Sequence, residues 1–274
     1  MKKILLMLSF VMFVGLFTQA FAAEEHITIN GNNGTLAAII CRPNNAASGQ
    51  MVILMHGFTS QKNNEQMLTL ARELETRGIA SIRFDFNGHG ESQGRFQDMT
   101  IPKEIDDAKV VYNYVRSLPY VTNISFVGHS QGGVVAGMTA AELGRERVKS
   151  VVLLAPAASL RDDIVRGDFF DVKFDPNKPA KYYLTIFGNH KVGLDYITTL
   201  KDLPIYETTA KYTGPVFIMH GKSDTIVPYT CGILYHHFCP NSQLELVDYA
   251  DHGFMNDLPG TMKKAADFLA VNGR

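Results

Sequence analysis

The sequence predicts an α/β domain with a mostly parallel, eight-stranded sheet that is flanked by helices. Two observations favour this fold class. Apolar runs of strand length alternate with segments of helical periodicity along most of the chain. The order and lengths of these segments fit successive βαβ units, which need a helix to cross between parallel strands. The chain of 274 residues is long enough for one large domain of this kind.

The elements follow from the apolar patterning and from turn residues between the segments. Two opening strands are separated by Gly31-Asn32-Asn33-Gly34, which is typical of a hairpin. The predicted strands are 26–30, 35–42, 51–55, 79–84, 124–127, 148–154, 216–219 and 243–247. The predicted helices are 64–77, 102–117, 131–143, 229–238 and 259–271.

The alternation of strands and helices breaks between about residues 157 and 200. Charged residues and aromatic side chains are mixed there without a clear period. We predict that this segment is a small lid subdomain inserted over the sheet. Its exposed aromatic residues could also form a homodimer contact.

The N-terminus has the pattern of a secretory signal peptide over residues 1–22. Two lysines precede a short apolar run, and Ala20-Phe21-Ala22 forms a small-residue cleavage site. The apolar run is shorter than the roughly 20 residues that cross a bilayer, which argues against the alternative of a stable membrane anchor. We therefore predict cleavage after Ala22, a mature domain of residues 23–274, and a secreted or periplasmic protein.

Charge and cysteine content exclude some classes of protein. The formal net charge of −1 argues against nucleic acid as a partner. Three cysteines in a chain of this size do not make a disulfide framework. If Cys231 and Cys239 bracket the helix predicted there, they lie about 12 Å apart, too far for a bond. We expect free, partly buried thiols.

Gly128-His129-Ser130-Gln131-Gly132 has the pattern of a nucleophile elbow. A strand rich in β-branched and aromatic residues precedes it, and a helix of small residues follows it. The glycines permit a strand-to-helix turn that would present the Ser130 hydroxyl above the sheet edge, next to the positive end of the helix dipole. Ser130 is therefore the predicted nucleophile.

A serine nucleophile needs a histidine base and a carboxylate that orients the base. In this fold both follow the serine, in the order acid and then histidine. Asp224 and His252 each come after a predicted strand, in loops at the same sheet edge as Ser130. They are the predicted acid and base. The alternatives are His220 as base and Asp248 or Asp251 as acid.

Acyl transfer also needs donors for the oxyanion that develops on the substrate. The backbone amides of Phe58, in the loop after a buried strand, and Gln131, directly after the nucleophile, are the predicted donors. We interpret His56 as a residue that braces this loop rather than one that transfers protons.

No pattern in the chain indicates a metal ion or a cofactor. The nine histidines are scattered, without HExxH or Cys-x-x-Cys spacing. Gly88-His89-Gly90 lacks the surroundings of a nucleotide-binding loop and is predicted to line the cleft. We therefore expect chemistry without a cofactor.

Together these motifs resemble the α/β-hydrolase superfamily over nearly all of the mature chain. Within it, four segments are similar to the bacterial cinnamoyl (feruloyl) esterases. They are residues 56–59, 83–90, 128–135 and 203–207. In that family an Asp early in the insert and a Tyr late in it hold the phenolic end of a hydroxycinnamate. The resemblance implies Asp163 and Tyr196 in these places, with Asp162 as the alternative to Asp163.

The combined prediction is a serine esterase that acts on a small-molecule ester. The resemblance implies ferulate or a related hydroxycinnamate attached to plant cell-wall sugars as the substrate. A general short-chain carboxylesterase or acylglycerol lipase is the alternative enzyme. A catalytically silent binding module of the same fold is the alternative from another class, but such a module would be expected to lack a member of the triad.

Overall fold

The structure is a computed structural model that describes residues 24–44, 49–178 and 183–274. The predicted signal peptide and its cleavage site lie outside the described residues. Within the described part of the chain, no helix has the length and apolar character needed to cross a membrane.

The first half of the chain builds the two antiparallel strands and the central sheet. Its elements are β1 (Glu24–Gly31), β2 (Gly34–Cys41), β3 (Gln50–Met55), α1 (Glu65–Thr76), β4 (Ala80–Phe84), α2 (Ile101–Ser117), β5 (Asn123–His129), α3 (Gln131–Leu143) and β6 (Val151–Leu154). A 3-10 turn at Phe96–Asp98 precedes α2.

The second half contains the insertion and the last two sheet strands. Its elements are α4 (Ser159–Arg166), β7 (Asp168–Phe169), β8 (Val172–Lys173), β9 (Tyr183–Ile186), β10 (His190–Gly193), α5 (Leu194–Lys201), α6 (Ile205–Thr209), β11 (Val216–Gly221), α7 (Thr230–Phe238), β12 (Ser242–Val247) and α8 (Leu258–Asn272).

The main sheet has eight strands in the order β1-β2-β4-β3-β5-β6-β11-β12. The β1–β2 and β2–β4 pairs are antiparallel, and the remaining pairs are parallel. This architecture confirms the predicted fold class. Strand β4 pairs with one edge of β3, and the next strand in the chain, β5, pairs with the other edge of β3. Ligand sites in open α/β sheets lie at such a switch, beyond the carboxyl ends of the strands.

Both faces of the sheet are buried, and β3 shows how one strand serves both. Met51, Ile53 and Met55 belong to the core on one face, whereas Val52 and Leu54 belong to the core on the other. Alternate side chains point to opposite faces of a strand, so a continuous apolar run is what a strand covered on both faces requires.

Side-chain caps set the starts of α1 and α2. Asn64 accepts a hydrogen bond from Met67 N at 2.8 Å, and Thr100 accepts one from Lys103 N at 3.3 Å. A capping residue takes an extended backbone, so it lies just outside the helix. Helix α1 therefore begins one residue later than the predicted Asn64, and α2 begins at Ile101 instead of Pro102.

The predicted start of the sixth strand, Val148, is wrong by three residues. Val148 N donates to Gly144 O at 3.0 Å, so this residue still belongs to the turn that closes α3. Strand β6 begins at Val151, where parallel pairing with β5 and β11 begins. The apolar pattern alone does not separate the end of this turn from the start of the strand.

The segment predicted as an irregular insertion contains regular elements. It comprises α4, the short β7–β8 hairpin, the β9–β10 hairpin and α5, and it is followed by α6 before β11. The two hairpins form separate two-stranded sheets outside the main sheet. Helix α5 ends at Lys201, one residue beyond the predicted boundary.

The three cysteines are free and buried, which confirms the prediction of free thiols. Cys231 lies in α7 and Cys239 caps its C-terminus, as the sequence spacing predicts.

Candidate active site

Ser130 lies at a strained turn between β5 and α3. Its φ of 56° and ψ of −123° are unusual for a residue with a side chain. A β-carbon on Gly128 would lie 2.0 Å from Gly132 O, and one on Gly132 would lie 2.3 Å from His56 O. Only glycine fits at either position, so the backbone geometry is that of a nucleophile elbow.

Ser130 is less exposed than the sequence suggests, at 7% of its surface. Its carbonyl oxygen accepts a hydrogen bond from Ala157 N at 3.1 Å, which draws the chain after β6 against the elbow. The loop after β3 also packs here, since a β-carbon on Gly57 would lie 2.9 Å from Ser130 Cβ. Two other segments of the chain, the one after β6 and the loop after β3, therefore pack against the serine.

The structure brings Asp224 and His252 together at the same edge of the sheet. His252 Nδ1 and Asp224 Oδ2 are 2.7 Å apart. Asp224 Oδ1 accepts two backbone hydrogen bonds, from Ile226 N and Val227 N, both at 2.8 Å. Burial by itself would raise the pKa of Asp224, but these bonds and those from His220 and His252 hold it well below its ordinary value.

His252 lies beside the elbow. The rings of His129 and His252 have centroids 4.8 Å apart, and His129 is the residue before Ser130. No hydrogen bond joins Ser130 to His252 among the described residues. In hydrolase sites without substrate this contact is often long, and it tightens when substrate binds.

Two further histidines support the Asp224–His252 pair. His129 Nε2 donates to the backbone oxygen of His252 at 2.8 Å. His220 Nε2 lies 3.0 Å from Val227 O and 3.2 Å from Asp224 Oδ2. Burial lowers the pKa of His129 to about 3, so this ring stays neutral. His220 is fully buried, which fits a supporting role better than the alternative role of base.

The alternative acids are committed elsewhere. Asp248 pairs with Lys222 at 2.7 Å on the surface. Asp251 Oδ1 accepts from Gly253 N and Met255 N, and so shapes the turn that carries His252. Neither carboxylate is bonded to the His252 ring.

The predicted oxyanion donors both belong to segments that adjoin Ser130. Phe58 follows Gly57, which packs on Ser130, and Gln131 is the first residue of α3. Among the described residues, neither backbone N–H has an acceptor. Two unpaired donors beside a strained serine can stabilise negative charge on a carbonyl oxygen.

His56 braces the Phe58 loop. Its Nε2 accepts from Phe86 N at 3.2 Å, so its proton is on Nδ1, which donates to Gly57 O at 2.8 Å. Burial lowers the pKa of His56 to about 4, which keeps it neutral. A ring with both nitrogens committed to the backbone does not transfer protons.

The Gln131 side chain joins the insertion to α2. Its Oε1 accepts from the Tyr196 hydroxyl at 2.7 Å, and its Nε2 donates to Glu104 Oε2 at 2.8 Å. Tyr196 has no exposed surface. Its hydroxyl proton is thus donated within the protein, whereas the resemblance to the cinnamoyl esterases implies a contact of Tyr196 with substrate. Burial raises the pKa of Glu104 well above its usual range.

Asp163 lies in α4 and forms an ion pair with Arg166 one turn later. It is half-buried, and burial raises its pKa. The preceding acid, Asp162, is exposed. Of the two acids considered from the sequence, Asp163 is therefore the one that faces the protein interior.

We call residues 56–62, the loop after β3 that carries Phe58, the oxyanion loop. A row of aromatic rings extends from this loop into the insertion. The ring of Phe58 stacks on Phe170 with centroids 5.4 Å apart, and Phe170 contacts Phe187 at 4.7 Å. Phe187 lies at the tip of the β9–β10 hairpin and is 56% exposed. Phe96 and Phe169 pack against the edge of Phe58. We call Phe58, Phe170 and Phe187 the ring row.

Sequence reasoning missed Glu104 and the link from His129 to His252. Glu104 is on the inner face of α2, where a charged residue is rarely found without a partner. A glutamate within the apolar stripe of that helix indicates a buried carboxyl group with a polar partner, which the sequence analysis did not consider. The bond from His129 to a backbone oxygen 123 residues away has no signal in one sequence.

Solved structures with a similar fold include Est1E from Butyrivibrio proteoclasticus with ferulic acid bound. That protein is 28% identical to this chain, with a TM-score of 0.85, and the match covers 90% of this chain and 98% of Est1E. The Pyrococcus furiosus esterase Pf2001 is 20% identical with a TM-score of 0.71, covering 92% of this chain and 94% of that one, which shows likeness of fold.

Curated relatives include the mitochondrial palmitoyl-protein thioesterase ABHD10 of Rattus norvegicus. It is 25% identical over 187 residues, which are 65% of this chain and 60% of the relative. Human ABHD12B is 25% identical over 234 residues, 80% of this chain and 60% of the relative. This chain thus spans about 60% of their length. Residues 46–202, more than half of the chain, match the Hydrolase_4 family, described as serine aminopeptidase, S33. The chain therefore belongs to the Hydrolase_4 family and has the α/β-hydrolase fold.

Proposed function

We propose that the protein hydrolyses carboxylic esters with Ser130 as nucleophile, His252 as general base and acid, and Asp224 as the residue that orients His252. The observation that carries the proposal is the 2.7 Å bond between Asp224 and His252 directly beside a strained serine elbow. The chain orders the three residues as serine, acid and histidine, as this fold requires.

In the proposed mechanism, Ser130 Oγ attacks the ester carbonyl carbon while His252 Nε2 takes its proton. The amides of Phe58 and Gln131 bind the oxyanion. The intermediate collapses to an acyl-enzyme as His252 returns the proton to the leaving alcohol. Water then attacks the acyl-enzyme while His252 takes its proton, and collapse of the second intermediate returns that proton to Ser130 Oγ and releases the carboxylic acid. Asp224 keeps the proton of neutral His252 on Nδ1, so that Nε2 can accept one from serine.

The proposed substrate is a hydroxycinnamate ester, such as ferulate attached to plant cell-wall sugars. Two observations support it: the overall similarity to Est1E, which was solved with ferulic acid, and the ring row next to the oxyanion loop. A planar aromatic acyl group can pack on such rings. Asp163 remains the proposed partner of the phenolic hydroxyl, and Tyr196 would contribute through a hydroxyl already bonded to Gln131.

Ser130→Ala tests the mechanism. We expect the variant to lose turnover of methyl ferulate and of p-nitrophenyl butyrate by several orders of magnitude, because no other nucleophile occupies the elbow. A fluorophosphonate should label the wild-type protein at Ser130 and leave the variant unlabelled. Wild-type ester turnover by Ser130→Ala would refute the proposal.

A second candidate is hydrolysis of esters or thioesters whose acyl group is a short or long alkyl chain. The similarity to palmitoyl-protein thioesterase ABHD10 favours this candidate. The kcat/KM values for methyl ferulate, p-nitrophenyl butyrate and palmitoyl-coenzyme A separate the two. A higher value for ferulate supports the hydroxycinnamate proposal. A higher value for butyrate indicates a general carboxylesterase, and a higher value for the palmitoyl thioester indicates a thioesterase.

We further propose that residues 1–22 direct export, so that the enzyme meets its ester outside the cytoplasm. The pattern of two lysines, an apolar run and an Ala-x-Ala site supports this. N-terminal sequencing of the protein from a culture medium or a periplasmic fraction should begin at Ala23. Recovery of the uncleaved chain in the cytoplasm alone would contradict it.

A further inference from the structure

The loop that carries Phe58 is held at both ends by two consecutive residues that follow β4. At its start, His56 Nε2 accepts the backbone N–H of Phe86 at 3.2 Å. At its end, Lys62 N donates to Asp85 Oδ1 at 2.6 Å, and Lys62 Nζ donates to Asp85 Oδ2 at 2.6 Å. Asp85 and Phe86 thus fix the loop of residues 56–62 from one place.

Asp85 is a buried carboxylate with few ways to rearrange. Its Oδ2 also accepts from Glu91 N at 2.9 Å, and a β-carbon on Gly90 would lie 2.2 Å from this oxygen. Lys62 is itself buried, with Glu91 Oε2 as its second partner at 2.6 Å. Both charges are paired inside the protein, where breaking such a pair costs much more than at the surface.

The segment between the two attachment points is short and strained. Thr59 has a φ of 56°, which a threonine rarely adopts, and Ser60 N closes a turn onto Gly57 O at 3.1 Å. Strained backbone persists only where the surrounding structure enforces it. The direction of the Phe58 N–H therefore depends on the attachments at both ends of the loop.

We propose that Asp85 is a positioning residue for the oxyanion site: through Lys62 it holds the loop so that the Phe58 amide points at the substrate oxygen. Asp85 acts on the reaction through the loop and touches no substrate. The inference rests on the proposed ester hydrolysis and adds a residue that the triad and the elbow do not contain.

Asp85→Asn tests the inference. The amide nitrogen of asparagine cannot accept from Lys62 Nζ or Glu91 N, so one attachment weakens while side-chain volume is kept. We expect kcat for p-nitrophenyl butyrate to fall at least about 10-fold, with KM within about 2-fold, because an oxyanion donor acts mainly in the transition state. Affinity for an aryl trifluoromethyl ketone, which forms an oxyanion when serine adds to it, should fall by a similar factor.

Leu269→Ala is the control for lost stability. Leu269 is a core residue of α8 in the cluster that contains Val52 and Leu54, and truncating it lowers stability without changing the hydrogen bonds of the 56–62 loop. Its kcat and ketone affinity should stay at wild-type values at a temperature where both variants are folded. Lys62→Met, which keeps the backbone bond to Asp85, should give an intermediate loss.

Hydrogen exchange of peptides covering residues 56–62 gives a readout that does not depend on turnover. Asp85→Asn should speed exchange there, and Leu269→Ala should not. Unchanged exchange, or a folded Asp85→Asn protein with wild-type kcat and ketone affinity, would overturn the inference and leave the proposed hydrolysis intact. Wild-type turnover by Ser130→Ala would instead overturn the proposed function.

Discussion

Asp224 shows how single residues are prepared for the proposed chemistry. The carboxylate is buried, yet four hydrogen-bond donors hold its pKa well below the ordinary value for an aspartate. It therefore stays ionised and accepts from His252 Nδ1. Two of the donors are backbone amides of its own loop, so its orientation is fixed even when His252 moves.

Asp224→Asn should lower kcat by roughly three to four orders of magnitude. The amide can still accept from the backbone, but its NH2 group faces Nδ1 and favours the tautomer with the proton on Nε2, which cannot take a proton from serine. The measurement is single-turnover hydrolysis of p-nitrophenyl butyrate, with circular dichroism to show that the fold is kept. A loss of less than about 10-fold would mean that another group orients His252.

At the scale of elements, the close approach of α3 to β3 places the nucleophile. Gly132, in the first turn of α3, lies directly against the backbone oxygens of Met55 and His56. A helix that packs this closely on a strand needs a residue without a side chain at the contact. The elbow geometry therefore depends on the packing between two elements as well as on the turn itself.

Gly132→Ala should lower both stability and the rate of fluorophosphonate labelling of Ser130. The added β-carbon would lie 2.3 Å from His56 O, so α3 must move away from β3. We expect a loss of roughly 1–3 kcal/mol in the free energy of unfolding. Gly133→Ala is the matched control, since its β-carbon meets Pro156 at 3.1 Å and needs only a small shift. Equal labelling rates in the two variants would contradict this account.

The β9–β10 hairpin carries the exposed end of the ring row. Phe187→Ala should raise KM for methyl ferulate roughly 2- to 10-fold, because a stacked aromatic pair contributes about 0.5–1.5 kcal/mol. Turnover of p-nitrophenyl butyrate should not change, since a short alkyl acyl group has no need of the outer ring. Steady-state kinetics on both esters make the measurement, and equal effects on both would argue against a substrate role for the ring row.

At the scale of the whole molecule, buried histidines make stability depend on pH. Burial lowers the pKa of His56 to about 4 and those of His89 and His129 to about 3. In the unfolded chain they would titrate near 6.5. The stability from keeping them neutral is fully present above pH 6.5. It is lost as pH falls through about 4 for His56 and about 3 for His89 and His129, because the unfolded chain binds more protons in this range. Asp107, whose pKa burial raises to about 6, acts in the opposite direction.

His89→Phe should reduce the loss of stability between pH 7 and pH 5 by about 2 kcal/mol, the contribution of one histidine that is protonated only when unfolded. His89 packs between His56 and Phe96, and its Nε2 has no partner among the described residues, so a phenyl ring removes no strong hydrogen bond. Guanidinium unfolding of both proteins at the two pH values is the measurement. Parallel pH dependence in variant and wild type would contradict the assignment.

The fold class and the residues of the candidate triad could be predicted because their signals are local. A strand covered on both faces needs a continuous apolar run, as in β3, and a tight elbow needs glycines at fixed positions, as at Gly128 and Gly132. Strand order then brings Asp224 and His252 to the edge where Ser130 lies. Each of these features depends on residues that are close together in the chain or on a general rule of parallel sheets.

Other features depend on residues that only folding brings together. Strand β6 begins later than predicted because Val148 N donates a hydrogen bond to Gly144 O in the preceding turn. The hydroxyl of Tyr196 donates a hydrogen bond to Gln131, 65 positions away in the chain. The hydrogen bonds from Lys62 to Asp85 and from His129 to His252 also join residues that are far apart in the chain. The sequence by itself determined the sheet, the elbow and the order of the candidate triad. The tertiary structure decided how these residues are held, because burial and hydrogen-bond partners arise from contacts between distant segments.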